Sequence, residues 1–233
     1  MAFHFDPDET SGSMPDLMTE ALQPPPKMLG QYAILRRLAV GGMAELFLAK
    51  DIEGDRRVVI KRIRPYLCED ERIAGMFLDE ARIAAQLHHP NVIQILELGR
   101  IENALFIAME YVDGVDLWQL FGEEQKAGRM LPYTITAYVV AQVCAGLDHA
   151  HNRKNREGLP LNIVHRDVNP KNVMVGFDGS VKLVDFGIAK ARTMIEQTRP
   201  GTVKGKYQYF SPEQATEGQI GRASCRERVL QVV

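Results

Sequence analysis

Two acidic side chains and an asparagine stand at spacings that suit the handling of a metal-bound phosphate. Asp167 and Asn172 lie five residues apart in the polar stretch Ile163-Val-His-Arg-Asp-Val-Asn-Pro-Lys-Asn172, and Asp185 follows the apolar run Val181-Lys-Leu-Val184. Oxygen ligands from an Asp and an Asn suit Mg²⁺, which keeps several waters and binds through few protein groups plus phosphates. A remaining carboxylate can accept the proton of an attacking hydroxyl. Lys61 closes Val58-Val-Ile-Lys61; alone it reads as a solvated charge at a strand end. Glu80 is a candidate ion-pair partner for it, although surface pairs contribute little. Gly41 and Gly42 lie within Leu38-Ala-Val-Gly-Gly-Met-Ala-Glu-Leu46. Backbone N–H groups reach phosphates closely where no side chain intervenes, though alone a Gly-Gly pair is an ordinary turn. His88-His89-Pro90-Asn91 reads as a structural turn rather than a metal site, because adjacent histidines face in different directions.

These residues must be carried by strands and helices. Tyr32 to Leu38 and Ala44 to Lys50 read as strands around the glycine turn, and Asp55 to Ile63 as a third. Ile73, Met76, Phe77, Ile83, Ala84 and Leu87 recur at helical spacing over 72–87, and Pro90 stops that helix. Two strands follow at Val92 to Leu98 and Leu105 to Tyr111, then an apolar helix from Tyr133 to His151. Short strands at Val173 to Val175 and Lys182 to Val184 flank the turn at Phe177 to Ser180. A small, mostly β unit thus precedes a helical one. The first 29 residues, ending near Pro24-Pro25-Pro26, read as a disordered leader.

The 233 residues, 45% hydrophobic and 25% charged, suit a globular chain, and a formal charge of −2 argues against a general nucleic-acid binder. Cys68, Cys144 and Cys225 show no paired spacing and suggest a reducing, cytoplasmic setting. No apolar run approaches the roughly 20 residues that span a bilayer, so no membrane contact is expected in this segment.

Taken in order, the glycine turn, Val-x-Ile-Lys61, helical Glu80, His165-Arg-Asp…Asn172, Asp185-Phe-Gly187 and Ser211-Pro-Glu213 resemble the signatures of protein kinases, specifically those of bacterial Ser/Thr type. The resemblance runs from about Tyr32 to Gln219. It implies an α+β, two-lobe, protein-kinase-like fold with a complete β-rich N-lobe (30–112, hinge included) and an incomplete helical C-lobe (113–219). It also implies ATP and Mg²⁺ as cofactors, protein substrates, and dimerisation for trans-autophosphorylation. By the same resemblance, Lys61 holds the α- and β-phosphates and pairs with Glu80, Asp167 accepts the substrate proton, and Asn172 and Asp185 ligate Mg²⁺. Leu38, Gly41, Gly42, Leu46, Val59, the Glu110 and Val112 backbone, and Asp116 near the ribose line the nucleotide site. Met109 is the gatekeeper. Thr193, Thr198 and Thr202 are candidate phosphosites, Thr202 first.

The departures are informative. Ala39 and Ala44 stand where glycines are usual. Asn169 occupies the position at which Ser/Thr kinases carry a lysine that steadies the γ-phosphate. Lys171, where tyrosine kinases often place a cation, or Lys206 is expected to supply that charge. The alternative is a pseudokinase or nucleotide-binding interaction module, favoured by Ala39, Ala44 and Asn169 but opposed by the intact Lys61, Asp167, Asn172 and Asp185. A small-molecule phosphotransferase of kinase-like fold is disfavoured by the Asp-Phe-Gly and Ser-Pro-Glu motifs. Residues 220–233 resemble the translation of a common sequencing adapter, Ile-Gly-Arg-Ala-Ser-Cys-Arg-Glu-Arg-Val from Ile220 to Val229, and are set aside as a non-native tail. The chain is then expected to lack the rest of its C-lobe, to leave Val139, Val140, Val143 and Leu147 without packing partners, and to be poorly active.

Overall fold

The computed structural model describes residues 26–41, 43–101 and 104–186, excluding the side chains of Arg72, Met76 and Glu80. Gly42, the end of the Asp-Phe-Gly motif, the three threonines, Lys206, Ser211 to Glu213 and residues 220–233 therefore lie outside the described residues.

Alternating apolar residues build the first sheet. Strands β1 (Met28–Leu29), β2 (Tyr32–Val40), β3 (Ala44–Asp51), β4 (Arg56–Ile63), β5 (Ile95–Ile101) and β6 (Ala104–Glu110) pair antiparallel in the order β1-β2-β3-β4-β6-β5. With a side-chain period of two, Val58 and Ile60 point to one face, where they pack with Phe47, Ala49, Phe106 and Ala108. Val59, Lys61 and Ile63 point to the other. On that side, beyond the short helix α1 (Pro65–Cys68), helix α2 (Glu71–Ala84) buries Phe77 and Ala81 against Ile63, Ile107 and Met109. One strand thus supplies two cores and still delivers a lysine between them.

The expected strand at 92–98 begins three residues later, at Ile95. Val92 and Ile93 are engaged elsewhere: Ile93 N donates to Leu183 O (2.8 Å), and Leu183 N donates to Asn91 O (2.9 Å). Apolar alternation looks the same whichever sheet a segment joins.

The second unit begins at β7 (Gly114–Asp116) and helix α3 (Leu117–Lys126), neither expected from the sequence. Helix α4 spans Tyr133–His151, as read from the sequence. A 3₁₀ turn at Pro170–Asn172 leads into β8 (Val173–Gly176) and β9 (Val181–Leu183), and β7-β8-β9 form a second sheet. The expectation that the apolar face of α4 lacks partners is corrected here. Val139, Val143 and Leu147 are buried with Leu87, Val92, Ile163, Val168, Val173 and Leu183, and Val140 packs against the same cluster. Each such side chain contributes about 1.5–3 kcal/mol by leaving water. Gly146 permits this approach, since a β-carbon there would meet Asn91 O at 2.8 Å. Among the described residues no helix is long and apolar enough to cross a membrane.

Candidate active site

The loop that carries Asp167 is built from local polar bonds. Extended Asn169 caps the 3₁₀ turn, its Oδ1 accepting from Lys171 N (3.0 Å), while its Nδ2 donates to Asp167 O (3.0 Å). Asn172 Nδ2 donates to the same carbonyl (2.7 Å) and to Asp167 Oδ2 (3.1 Å). His165, fully buried, braces the loop from behind: its Nδ1 accepts from Asp167 N (3.3 Å) and its Nε2 lies 3.0 Å from Val184 O. A carbonyl can only accept, so both contacts are satisfied by a neutral imidazole with its hydrogen on Nε2. The same ring lies 4.5 Å from Phe186, centroid to centroid. Arg166, between His165 and Asp167 in the chain, takes a φ of 65°, a left-handed conformation uncommon outside glycine.

Asp185 is brought to this loop by β9. Val184 N donates to Asn172 O (3.0 Å), and Asp185 then turns with a φ of 60°. Its Oδ1 accepts from Lys61 Nζ at 2.8 Å, across the two units; the lysine side chain is 7% exposed and the carboxylate 24%. Lys61 thus engages Asp185, whereas its expected partner, the Glu80 side chain, lies outside the described residues. Behind the ion pair is a cavity of about 30 Å³ lined by Phe77, Ala81, Ile107, Met109 and Phe186. It has room for about one water and not for a nucleotide.

Strand register explains the remaining lining residues. Leu46 pairs with both Ala39 and Lys61, and Val59 with Leu48 and Met109, so these side chains share the cleft face. Leu38 is the extra residue of a bulge between Arg37 and Ala39. Gly41 N donates to Ala44 O (2.9 Å), closing the turn. Glu110 is fixed where the units meet: its carboxylate accepts from Gln94 N and from Lys182 Nζ, both at 2.8 Å, and its own N–H donates to Gln94 O (3.0 Å). Val112 packs at the margin of the α2 cluster. Asp116 caps α3, its Oδ1 accepting from Gln119 N (2.8 Å). Lys171 holds its ammonium 5.6 Å from the centroid of Trp118 on α3. His165 was read as part of its motif but without this bracing role, and the Glu110–Lys182 pair and Trp118 carried no sequence signal of their own beyond residue type.

Donor chemistry suits magnesium with a nucleotide. Asn172 spends its amide nitrogen on Asp167, which leaves its oxygen as the acceptor, and Asp185 adds a carboxylate. Among the described residues no group of three or more His, Cys, Asp or Glu could hold a metal alone.

Comparison with known proteins agrees. Residues 32–224 match the protein kinase domain family. The chain belongs to the protein kinases. A relative in Myxococcus xanthus (strain DK1622), named tyrosine-protein kinase MasK, is 44% identical over 209 residues, covering 88% of this chain and 32% of that protein. The serine/threonine-protein kinase PrkC of Bacillus subtilis (strain 168) is 36% identical over 192 residues, covering 82% and 28%. The kinase spans less than a third of either relative's length. Among solved structures, the kinase domain of Mycobacterium tuberculosis PknI aligns with a TM-score of 0.64 and 26% identity over 87% of this chain and 72% of that one. The two-lobe kinase fold is thereby established.

Proposed function

We propose that the cleft transfers the γ-phosphoryl group of Mg-ATP to serine or threonine hydroxyls of protein substrates. The observation that carries this reading is that Asn172 bonds the Asp167 carboxylate and, through its carbonyl, Val184, which sets the next residue, Asp185, against Lys61. Lys61 binds phosphate oxygens, and Asn172 and Asp185 hold the magnesium, which when bound neutralises charge on the phosphates. Asp167, oriented by Asn172 and His165, accepts the hydroxyl proton. The sheet face of Leu38, Leu46 and Val59 covers the base, with the Glu110 and Val112 backbone at its edge, Gly41 and Gly42 over the phosphates, Asp116 by the ribose and Glu80 as partner of Lys61. The native full-length gene product, incubated with radiolabelled ATP and a mixed peptide substrate, should yield phosphoserine and phosphothreonine, and Asp167→Asn should abolish the label. Nucleotide binding without any transfer would instead identify an interaction module.

A tyrosine acceptor is the second reading. It is favoured by the name of the 44% identical relative and by Asn169 and Lys171 in place of the usual lysine. Phosphotyrosine as the dominant product decides for it. Lys171 or Lys206 supplying charge to the phosphoryl group is tested by alanine variants: unchanged kcat in both removes the idea. Labelling whose rate per molecule rises with concentration supports trans-autophosphorylation by a dimer. The segment 220–233 is read as translated adapter, and the codons of the source read decide this; the 233-residue chain is proposed to be poorly active beside the native gene product.

A further inference from the structure

The last pair of the β3–β4 ladder is Ala44 with Ile63, and the next residue of β4's chain, Arg64, extends that ladder past its end. Its backbone N–H donates to Met43 O (3.0 Å), and its side chain turns back so that Nε donates to Gly41 O (3.0 Å). One residue, 6% exposed, therefore holds the carbonyls on both sides of the glycine turn. The same strand carries Lys61 three residues earlier, so the turn and the lysine are registered by a single rigid element. Arg64 is itself fixed: it sits at the N-cap of α1 in an extended conformation, and its carbonyl accepts from Leu67 N (2.9 Å). With Ala39 and Ala44 where glycines are usual, the turn has fewer residues free to take unusual backbone angles. A turn with two restricted neighbours gains from an external anchor that sets its height over the cleft.

We propose that Arg64 is a positioning residue for nucleotide binding, which clamps the 41–43 turn so that its backbone meets the phosphates without being reordered. The proposal rests on the reading that the cleft binds ATP, and it acts on affinity through preorganisation. A charged donor lost from a backbone carbonyl is an interaction of substantial size. In the native full-length gene product, Arg64→Met, which keeps an unbranched stem but no donor, should raise KM for ATP by about five- to tenfold with kcat within about twofold. Arg64→Lys, retaining one donor, should fall between it and wild type. Hydrogen exchange of the peptide spanning 39–46, measured without nucleotide, should be faster in the methionine variant and partly restored in the lysine one.

Unchanged exchange in both variants overturns the clamp, and so does an unchanged KM. Loss of kcat together with a lowered Tm assigns Arg64 a merely structural role and also overturns it. If Arg64→Met does not fold, the lysine variant carries the test, and KM and exchange equal to wild type reject the proposal. Wild-type protein that neither binds nor turns over ATP, while the exchange difference persists, refutes the ATP reading and leaves only the clamp on the turn.

Discussion

Replacing Asn172 by alanine and by aspartate separates the hydrogen bond it makes from the charge it lacks. Alanine removes two bonds, to Asp167 O and Oδ2; the carbonyl keeps Asn169 Nδ2 (3.0 Å), so the costlier loss is the bond to the buried carboxylate. Such bonds contribute about 1.5–3 kcal/mol. Aspartate instead sets a second carboxylate oxygen where Nδ2 stood, 3.1 Å from Asp167 Oδ2. At an effective dielectric of about 20 that repulsion is about 5 kcal/mol, and about 3 kcal/mol once the two groups swing to about 5 Å. The aspartate variant should therefore be the less stable at pH 8, beyond the loss seen with alanine. Repulsion makes the introduced carboxyl hold its proton to a higher pH in the folded chain than in the unfolded one, so the folded state binds more protons and recovers stability as pH falls. Urea unfolding of both variants at pH 8 and pH 5 should show the gap between them shrinking on acidification. A gap equal at both pH values to within about 0.5 kcal/mol would falsify the arrangement of Asn172 against Asp167.

Lys61→Met should abolish phosphoryl transfer, by at least about 100-fold, while thermal denaturation stays cooperative; transfer near the wild-type rate removes Lys61 from the machinery. Gly114→Ala should destabilise by more than about 3 kcal/mol, because a methyl group there runs into the Val175 carbonyl of the paired strand, and a Tm within a degree of wild type contradicts the packing of β7 on β8. Burial holds His149 below the ordinary imidazole value, and repulsion from His89, stacked at 5.0 Å, and from Arg153 and His88 adds to this against the opposing Asp148. The unfolded chain protonates first, so this contribution is present above pH about 6.5 and is lost as pH falls through the folded-state value. Melting between pH 7.5 and 5.5 should show a shallower decline in His149→Gln than in wild type; parallel curves remove the effect.

The core elements were legible where one face alone is buried. Phe47, Val58 and Ile60 alternate with polar or cleft-facing neighbours, and β3 and β4 fall within a residue of the strands read from that pattern. Helix α4, apolar over most of its length, announced itself but not its partners: nothing local distinguishes Val143 packed on β9 from Val143 awaiting a later helix. Strand β7 is three residues long and contains a glycine, too short for any periodicity. Helix α3 begins at a capping Asp116, and an aspartate that caps a helix reads the same in sequence as one that faces a ribose. Asp167 and Asn172 were visible because their spacing is short range, and Asp185 because it follows an apolar run. The braces are not, since His165 reaches Val184 and Lys182 reaches Glu110 across 19 and 72 residues of chain, and only the fold brings them together.

The bonding of the 91–93 segment to β9 has a mechanical consequence for helix α2. Its trailing end is anchored to the neighbouring sheet by Asn91 O and Ile93 N, and the Asn91 amide fastens it further by donating to Val181 O (2.9 Å) and Gln142 Oε1 (3.0 Å). The 14 residues of the helix make a lever of about 21 Å. With its fulcrum near Ala84, a tilt of about 10° sweeps the leading turn at Glu71 through about 4 Å but shifts the backbone at residue 80 by only about 1 Å. Displacing that position therefore calls for a roll of the cylinder about its own axis, which leaves the anchored end in place.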